Sequence, residues 1–180
     1  LCKQHCVTVN DWPIAKMMLE ENTNKVVIAA DIRNQIKCYR QGAMGNYSTA
    51  FSVSVKKTGE NVISLAKRVS SQVLNICQHP QKEMLVLACY IHMQPELIDA
   101  VAISALGDFG SKAGIFVGRN MFGYGSQNGY SITNLGKIKS NIIAEAIFIP
   151  PASPANKKTW GVLTVNNHMK ICASKLIAES

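Results

Sequence analysis

The sequence predicts an α/β (α+β) fold, a mixed β-sheet layered with helices in one domain over residues 1–180. Three patterns carry that prediction. Tyr47 to Lys56 alternates Tyr47, Thr49, Phe51, Val53 and Val55 with Ser48, Ala50, Ser52, Ser54 and Lys56, the period of a half-buried strand. Asn61 to Gln78 repeats Val62, Leu65, Ala66, Val69, Val73, Ile76 and Cys77 at the spacing of one helical face. Trp160–Val165 and His168–Ser174 flank Asn166-Asn167, residues that accept the positive φ of a tight hairpin turn.

The remaining elements follow in order. Leu1 to Cys6 reads as the end of a helix. Thr8 and Asp11 stand at capping-box spacing before a helix running to about Glu21, with Pro13 in its first turn and Trp12, Ala15, Met18 and Leu19 on its apolar face. Lys25 to Arg33 holds the continuous apolar run Val26 to Ala30, which predicts a strand buried on both faces. Gln41 to Asn46 is a loop. His79-Pro80 ends the long helix, residues 82–93 form another, and Pro95 opens a third that reaches about Leu106.

From Gly107 glycine recurs too densely for a helix, which predicts a strand at Ala113 to Val117 and a loop at Gly118 to Gly129. Ser131 to Gly136 follows as a polar strand ending in a glycine turn, because Ser131 and Thr133 alternate with Ile132. Ile142 to Ile149 is another apolar strand, stopped by Pro150-Pro151, and Ala152 to Lys158 is a polar loop before the closing meander.

Composition narrows the function classes. The chain is 47% apolar, and none of its apolar runs approaches the roughly 20 residues that cross a bilayer, so no membrane association is expected. A net charge of +8 invites an anionic partner, but the basic residues are scattered pairs such as Lys56-Lys57 and Lys157-Lys158 without interleaved aromatics. That excludes a nucleic-acid groove and leaves a solvated surface or the steering of an acidic cofactor. The six cysteines lie apart in mostly apolar segments, as in a reduced intracellular protein, which predicts a cytoplasmic setting. Cys2, His5 and Cys6 lack a fourth ligand nearby, so no metal is expected. Gly123 to Gly129 lacks the Lys-Ser/Thr pair of a phosphate loop. Asp108-Phe109-Gly110 reads as a turn.

Four landmarks in this order, Thr8-Val9-Asn10-Asp11, Asp31-Ile32-Arg33 with Gly45-Asn46-Tyr47, Ser131 to Gly136, and the closing Trp160 to Ser174, give the chain a resemblance. It resembles the C-terminal half of the chloramphenicol acetyltransferase-like superfamily, which includes peptide-synthetase condensation domains and alcohol acetyltransferases. The resemblance implies one lobe of a two-lobe sandwich that transfers an acyl group from coenzyme A or a carrier-protein thioester to a hydroxyl or amine. It implies no covalently bound cofactor. Implied partners are the N-terminal lobe of the same protein, a small-molecule donor and acceptor, and a carrier protein or further copies of the chain.

By that resemblance Ser131, Thr133 and Asn134 would bind substrate or the developing oxyanion, with Asn134 holding the turn backbone. Asp31, Arg33, Asn46 and Gly136 would support the site structurally. The family's general base is the second histidine of a His-His-x-x-x-Asp-Gly motif, and this chain has no copy. Four residues after His5, His79, His92 and His168 stand Val9, Glu83, Glu96 and Cys172. The base is therefore expected in the missing N-terminal lobe, and this chain alone is expected to be inactive. The competing expectation is a noncatalytic binding or assembly module that keeps the lobe fold.

Overall fold

The structure, a computed structural model, describes residues 7–31, 33, 39–44, 48–56, 59, 61–79, 92–106, 112–113, 115–116, 129–152 and 156–175. The chain divides into two compact units, Leu1–Glu83 and Met84–Ser180. The first holds α1 (Asp11–Glu20), β1 (Lys25–Asp31), β2 (Ser48–Ser54) and α2 (Val62–Gln78). The second holds α3 (Pro95–Leu106), β3 (Gly129–Ile138), β4 (Asn156–Val165) and β5 (His168–Ser174). The described residues thus form an α/β fold, with five strands in mixed pairing and three helices of defined extent.

In the first unit, α1 starts on a reciprocal cap. Thr8 Oγ1 accepts from the Asp11 amide at 3.2 Å, and Asp11 Oδ2 accepts from the Thr8 amide at 2.8 Å. Two amide protons that no helical carbonyl could reach are satisfied in this way. Ile14, Ala15, Met17 and Met18 form the buried face. Leu19, expected on that face, is exposed, because the helix ends one residue later and the chain turns through Asn22 at φ 49°.

β1 and β2 pair antiparallel from Lys25↔Ser54 to Asp31↔Ser48. β2 alternates as its sequence predicts, with Phe51, Val53 and Val55 buried and Ser52, Ser54 and Lys56 exposed. β1 departs from its prediction: it ends at Asp31, Val26 is fully buried, but Ala29 is exposed and Val27, Ile28 and Ala30 are half-buried. Its apolar run therefore reflects β-propensity more than two covered faces.

Asn61 caps α2 by accepting from the Ser64 amide at 2.9 Å, and the helix buries Leu65, Ala66 and Val69. Burying one side chain of the size of Leu65 stabilises the unit by about 1.5–3 kcal/mol. Cys77, expected on this face, is exposed in the last turn. Gln72 binds α2 to the end of β2: its Oε1 accepts from Ser54 N at 2.9 Å and its Nε2 donates to Ser54 O at 2.6 Å. That amide takes both main-chain groups of Ser54, as a neighbouring strand would.

In the second unit, β3 runs parallel to β4, and β4 runs antiparallel to β5. The parallel pair is joined by a crossover, as its geometry requires, and the expected closing hairpin follows it. The hairpin from β4 to β5 has the expected turn, with Asn166 at φ 45° and Asn167 at φ 72°. β4 begins at Asn156, so the predicted polar loop gives its last residues to the strand.

Three further expectations fail in this unit. Gly136 does not end its strand: at φ 84° it sits in a bulge where Leu135 and Gly136 face one residue of β4, and β3 continues to Ile138. Ile142 to Ile149 is not a strand but part of an irregular crossover between β3 and β4. Pro150 and Pro151 lack amide protons, which denies this segment part of a ladder. Ala113, Ile115 and Phe116 are helical where a strand was expected. A glycine costs about 1 kcal/mol in a helix, which lowers helicity without forbidding it. The expected helices at Leu1 to Cys6 and 82–93 lie wholly or almost wholly outside the described residues, as do Asp108-Phe109-Gly110 and most of the Gly118 to Gly129 loop.

Candidate polar site on the β3–β4 sheet face

Strand alternation places Ser131 and Thr133 on one face of β3 and the buried Tyr130 and Ile132 on the other. Across β4 and β5 the register builds two rows on the Ser131 face. One is Ser131↔Thr159↔Ser174 and the next is Thr133↔Gly161↔Cys172. Hydroxyl and thiol groups from three strands are thereby set side by side.

The first row is hydrogen-bonded. Ser131 Oγ donates to Thr159 Oγ1 at 3.0 Å and accepts from Asn156 Nδ2 at 3.0 Å. Thr159 is buried, so a lost partner there would leave a desolvated hydroxyl. Ser174 Oγ is buried at the end of the row and has no hydrogen-bond partner among the described residues. Such a group in a polar row is where an ordered water or a ligand atom would be held.

Asn134 is engaged with the backbone of the bulge. Its Oδ1 accepts from the Gly136 amide at 2.8 Å and fixes the bulge. The anchoring continues beyond the strand, where Asn166 Oδ1 accepts from Ser140 N at 3.0 Å and Asn166 Nδ2 donates to Ser140 O and Ile143 O at 2.9 and 3.0 Å. The crossover then runs over the Ser131 face. Glu145 Oε2 meets Lys170 Nζ at 3.1 Å, and Lys170 lies opposite Leu163, two residues from Gly161 on the same side of β4. A Cβ on Gly161 would lie 2.6 Å from Pro150 Cδ and 2.7 Å from Phe148 O, so the crossover touches the bare backbone of Gly161.

Asp31 and Arg33 form an ion pair, with Nε to Oδ1 at 3.4 Å and a backbone bond from Arg33 N to Asp31 Oδ1 at 2.9 Å. Both side chains are more than half exposed, so the pair is a local turn at the end of β1 and worth little to stability. Asn46 lies outside the described residues.

Asn156, Thr159, Gly161 and Ser174 escaped the sequence reading. Asn156, Thr159 and Gly161 meet β3 only through its parallel register on β4, and Ser174 joins the row through the antiparallel pairing of β5 with β4.

Among the described residues no cluster of three His, Cys, Asp or Glu could hold a metal. His79, His92 and His168 are exposed. The shallow cleft of about 230 Å³ lined by Ser54, Val55, Lys56, Arg68, Ser71 and Gln72 contains no acid–base pair. Among the described residues no helix is long and apolar enough to cross a membrane. Among the described residues the first row of the polar face, Ser131, Thr159 and Ser174 with Asn156, offers hydrogen bonds from hydroxyl and amide groups. Comparison with known families, with curated proteins and with solved structures finds no match to this chain.

Proposed function

We propose that the chain is the C-terminal lobe of a two-lobe acyltransferase of the chloramphenicol acetyltransferase-like type. It would supply the hydrogen-bonding wall of a site whose general base belongs to the other lobe. The observation that carries this reading is the Ser131 hydroxyl, held between Asn156 Nδ2 and Thr159 Oγ1 on a strand whose bulge Asn134 fixes. With the Ser131 proton given to Thr159, the donors this row offers are the Thr159 hydroxyl and the second Nδ2 proton of Asn156, which suit the binding of a polar acyl-donor arm or the stabilisation of an oxyanion.

The acyl donor is a thioester of coenzyme A or of a carrier protein, and the acceptor is a hydroxyl or amine. Lys158 pairs with Tyr130, one residue before Ser131, and Lys157 Nζ lies 5.9 Å from the Tyr130 ring centre. Both ammonium groups lie over aromatic rings of the opposite sheet face, Lys158 over Trp160 and Lys157 over Tyr130, so what favours a phosphate-bearing donor is the net charge of +8. The protein is cytoplasmic in this reading. Nucleic acid and membrane are not among its partners.

Titration of the chain with coenzyme A, followed by amide chemical shifts, tests the reading. Shifts centred on residues 131–134 and 156–159, abolished by Ser131→Ala with Thr133→Ala, are expected. Saturation of the titration without changes in those residues would remove the strand from the site.

A noncatalytic assembly module is the second reading. Ile142, Ile147 and Ile149 favour it, being 95%, 61% and 71% exposed on the crossover. Concentration-dependent self-association with no response to coenzyme A would select it.

A further inference from the structure

The crossover between β3 and β4 is unusual in how little fastens it. None of the described backbone groups from Ala144 to Pro151 hydrogen-bonds to another described residue. Its isoleucines already face outward, Ile142, Ile143, Ile147 and Ile149 being 95%, 48%, 61% and 71% exposed. The apolar groups it would take with it are Pro150, which is fully buried, and Phe148, which is half-buried, while Leu163 and Val165 are buried on the strand face beneath.

The two ends are held differently. At the start Asn166 grips Ser140 and Ile143 with three hydrogen bonds, which makes this end a fixed anchor. In the middle Glu145 meets Lys170 at 3.1 Å, an exposed pair that contributes little. Near the far end the contact is steric. Pro150 and Phe148 sit where a side chain of residue 161 would be, so docking there depends on glycine.

We propose that residues 144–151 form a hinged cover over the Thr133–Gly161–Cys172 row, anchored at Asn166 and latched on Gly161. Undocking opens this sheet face to solvent while β3, β4 and β5 stay paired. Elements with few backbone hydrogen bonds are among those that open below the threshold of global unfolding.

The thiol of Cys172 reports the opening, because Cys172 is the register partner of Gly161 and is a half-buried free cysteine. Its labelling by iodoacetamide is read at its own peptide by mass spectrometry, in increasing but sub-denaturing urea. Expected is a rate below that of a free thiol, with a urea dependence much shallower than that of global unfolding. Gly161→Ala removes the latch and should raise the rate at least fivefold. Asn166→Gly keeps the positive φ but removes the anchor, and should raise it by a similar factor. Labelling at the free-thiol rate, or labelling that tracks global unfolding, overturns the cover. So does an unchanged rate in both variants with their circular dichroism intact. Should neither variant fold, the urea dependence of the unsubstituted chain decides.

Discussion

The Asn134 side chain accepts a hydrogen bond from the Gly136 amide at 2.8 Å and holds a left-handed residue inside a continuous strand. The result is a bulge in the parallel pair: Asn134 still faces Val162, Lys137 faces Thr164, and two residues oppose one between them. The strand resumes afterwards and reaches Ile138, whose carbonyl accepts from the Asn166 amide at 3.0 Å.

The cost of replacing Gly136 should be purely conformational, because nothing lies within 4 Å of where its Cβ would be. Gly136→Ala is expected to destabilise the chain by about 1–2 kcal/mol, the penalty of a left-handed L-residue. Gly136→Asn should cost less, since Asn tolerates this region. Urea unfolding midpoints of the two variants check the order, and an Ala variant as stable as the parent would mean that the bulge relaxes.

Wherever spacing along the chain determines contact, the sequence was readable. The Thr8–Asp11 cap, the alternation of β2, the buried face of α2 and the Asn166-Asn167 turn all depend on residues close in the chain. Gly136 illustrates the limit. A positive φ was legible, but whether it ended or bulged the strand depended on the partner strand. The crossover was misread for a related reason: alternating isoleucines carry β-propensity, yet a segment lying over a sheet face has no ladder to join. In the candidate site Ser131, Thr133 and Asn134 could be picked out as polar strand residues. Asn156 and Thr159 could not, because parallel register is a long-range choice that local pattern does not encode.

Thr8 and Asp11 satisfy each other's amides, so the cap should behave as a unit. Thr8→Ala is expected to lower stability by about 1 kcal/mol, while Thr8→Ser stays within a few tenths. Asp11→Ala should cost at least as much, since Asp11 is also buried. Thermal unfolding of the three variants measures this. Equal midpoints for Thr8→Ala and Thr8→Ser would show that the hydroxyl contributes nothing to the start of α1.

Ser131 and Thr159 should be coupled more strongly than two polar residues on neighbouring strands need be. Ser131 Oγ donates to Thr159 Oγ1, and Thr159 is shielded from water. Removing one hydroxyl leaves its partner desolvated, at a cost of about 1–3 kcal/mol. Thr159→Val preserves shape and isolates that term, and Ser131→Ala isolates its counterpart. With both replaced, no orphan remains between them, although Asn156 Nδ2 still loses its acceptor. The double variant should therefore be less destabilised than the sum of the single ones, by about 1 kcal/mol. A double-mutant cycle in urea measures the difference. Additive effects would mean that the two hydroxyls are solvated independently, and the preorganised row that supports the acyl-donor reading would lose its basis.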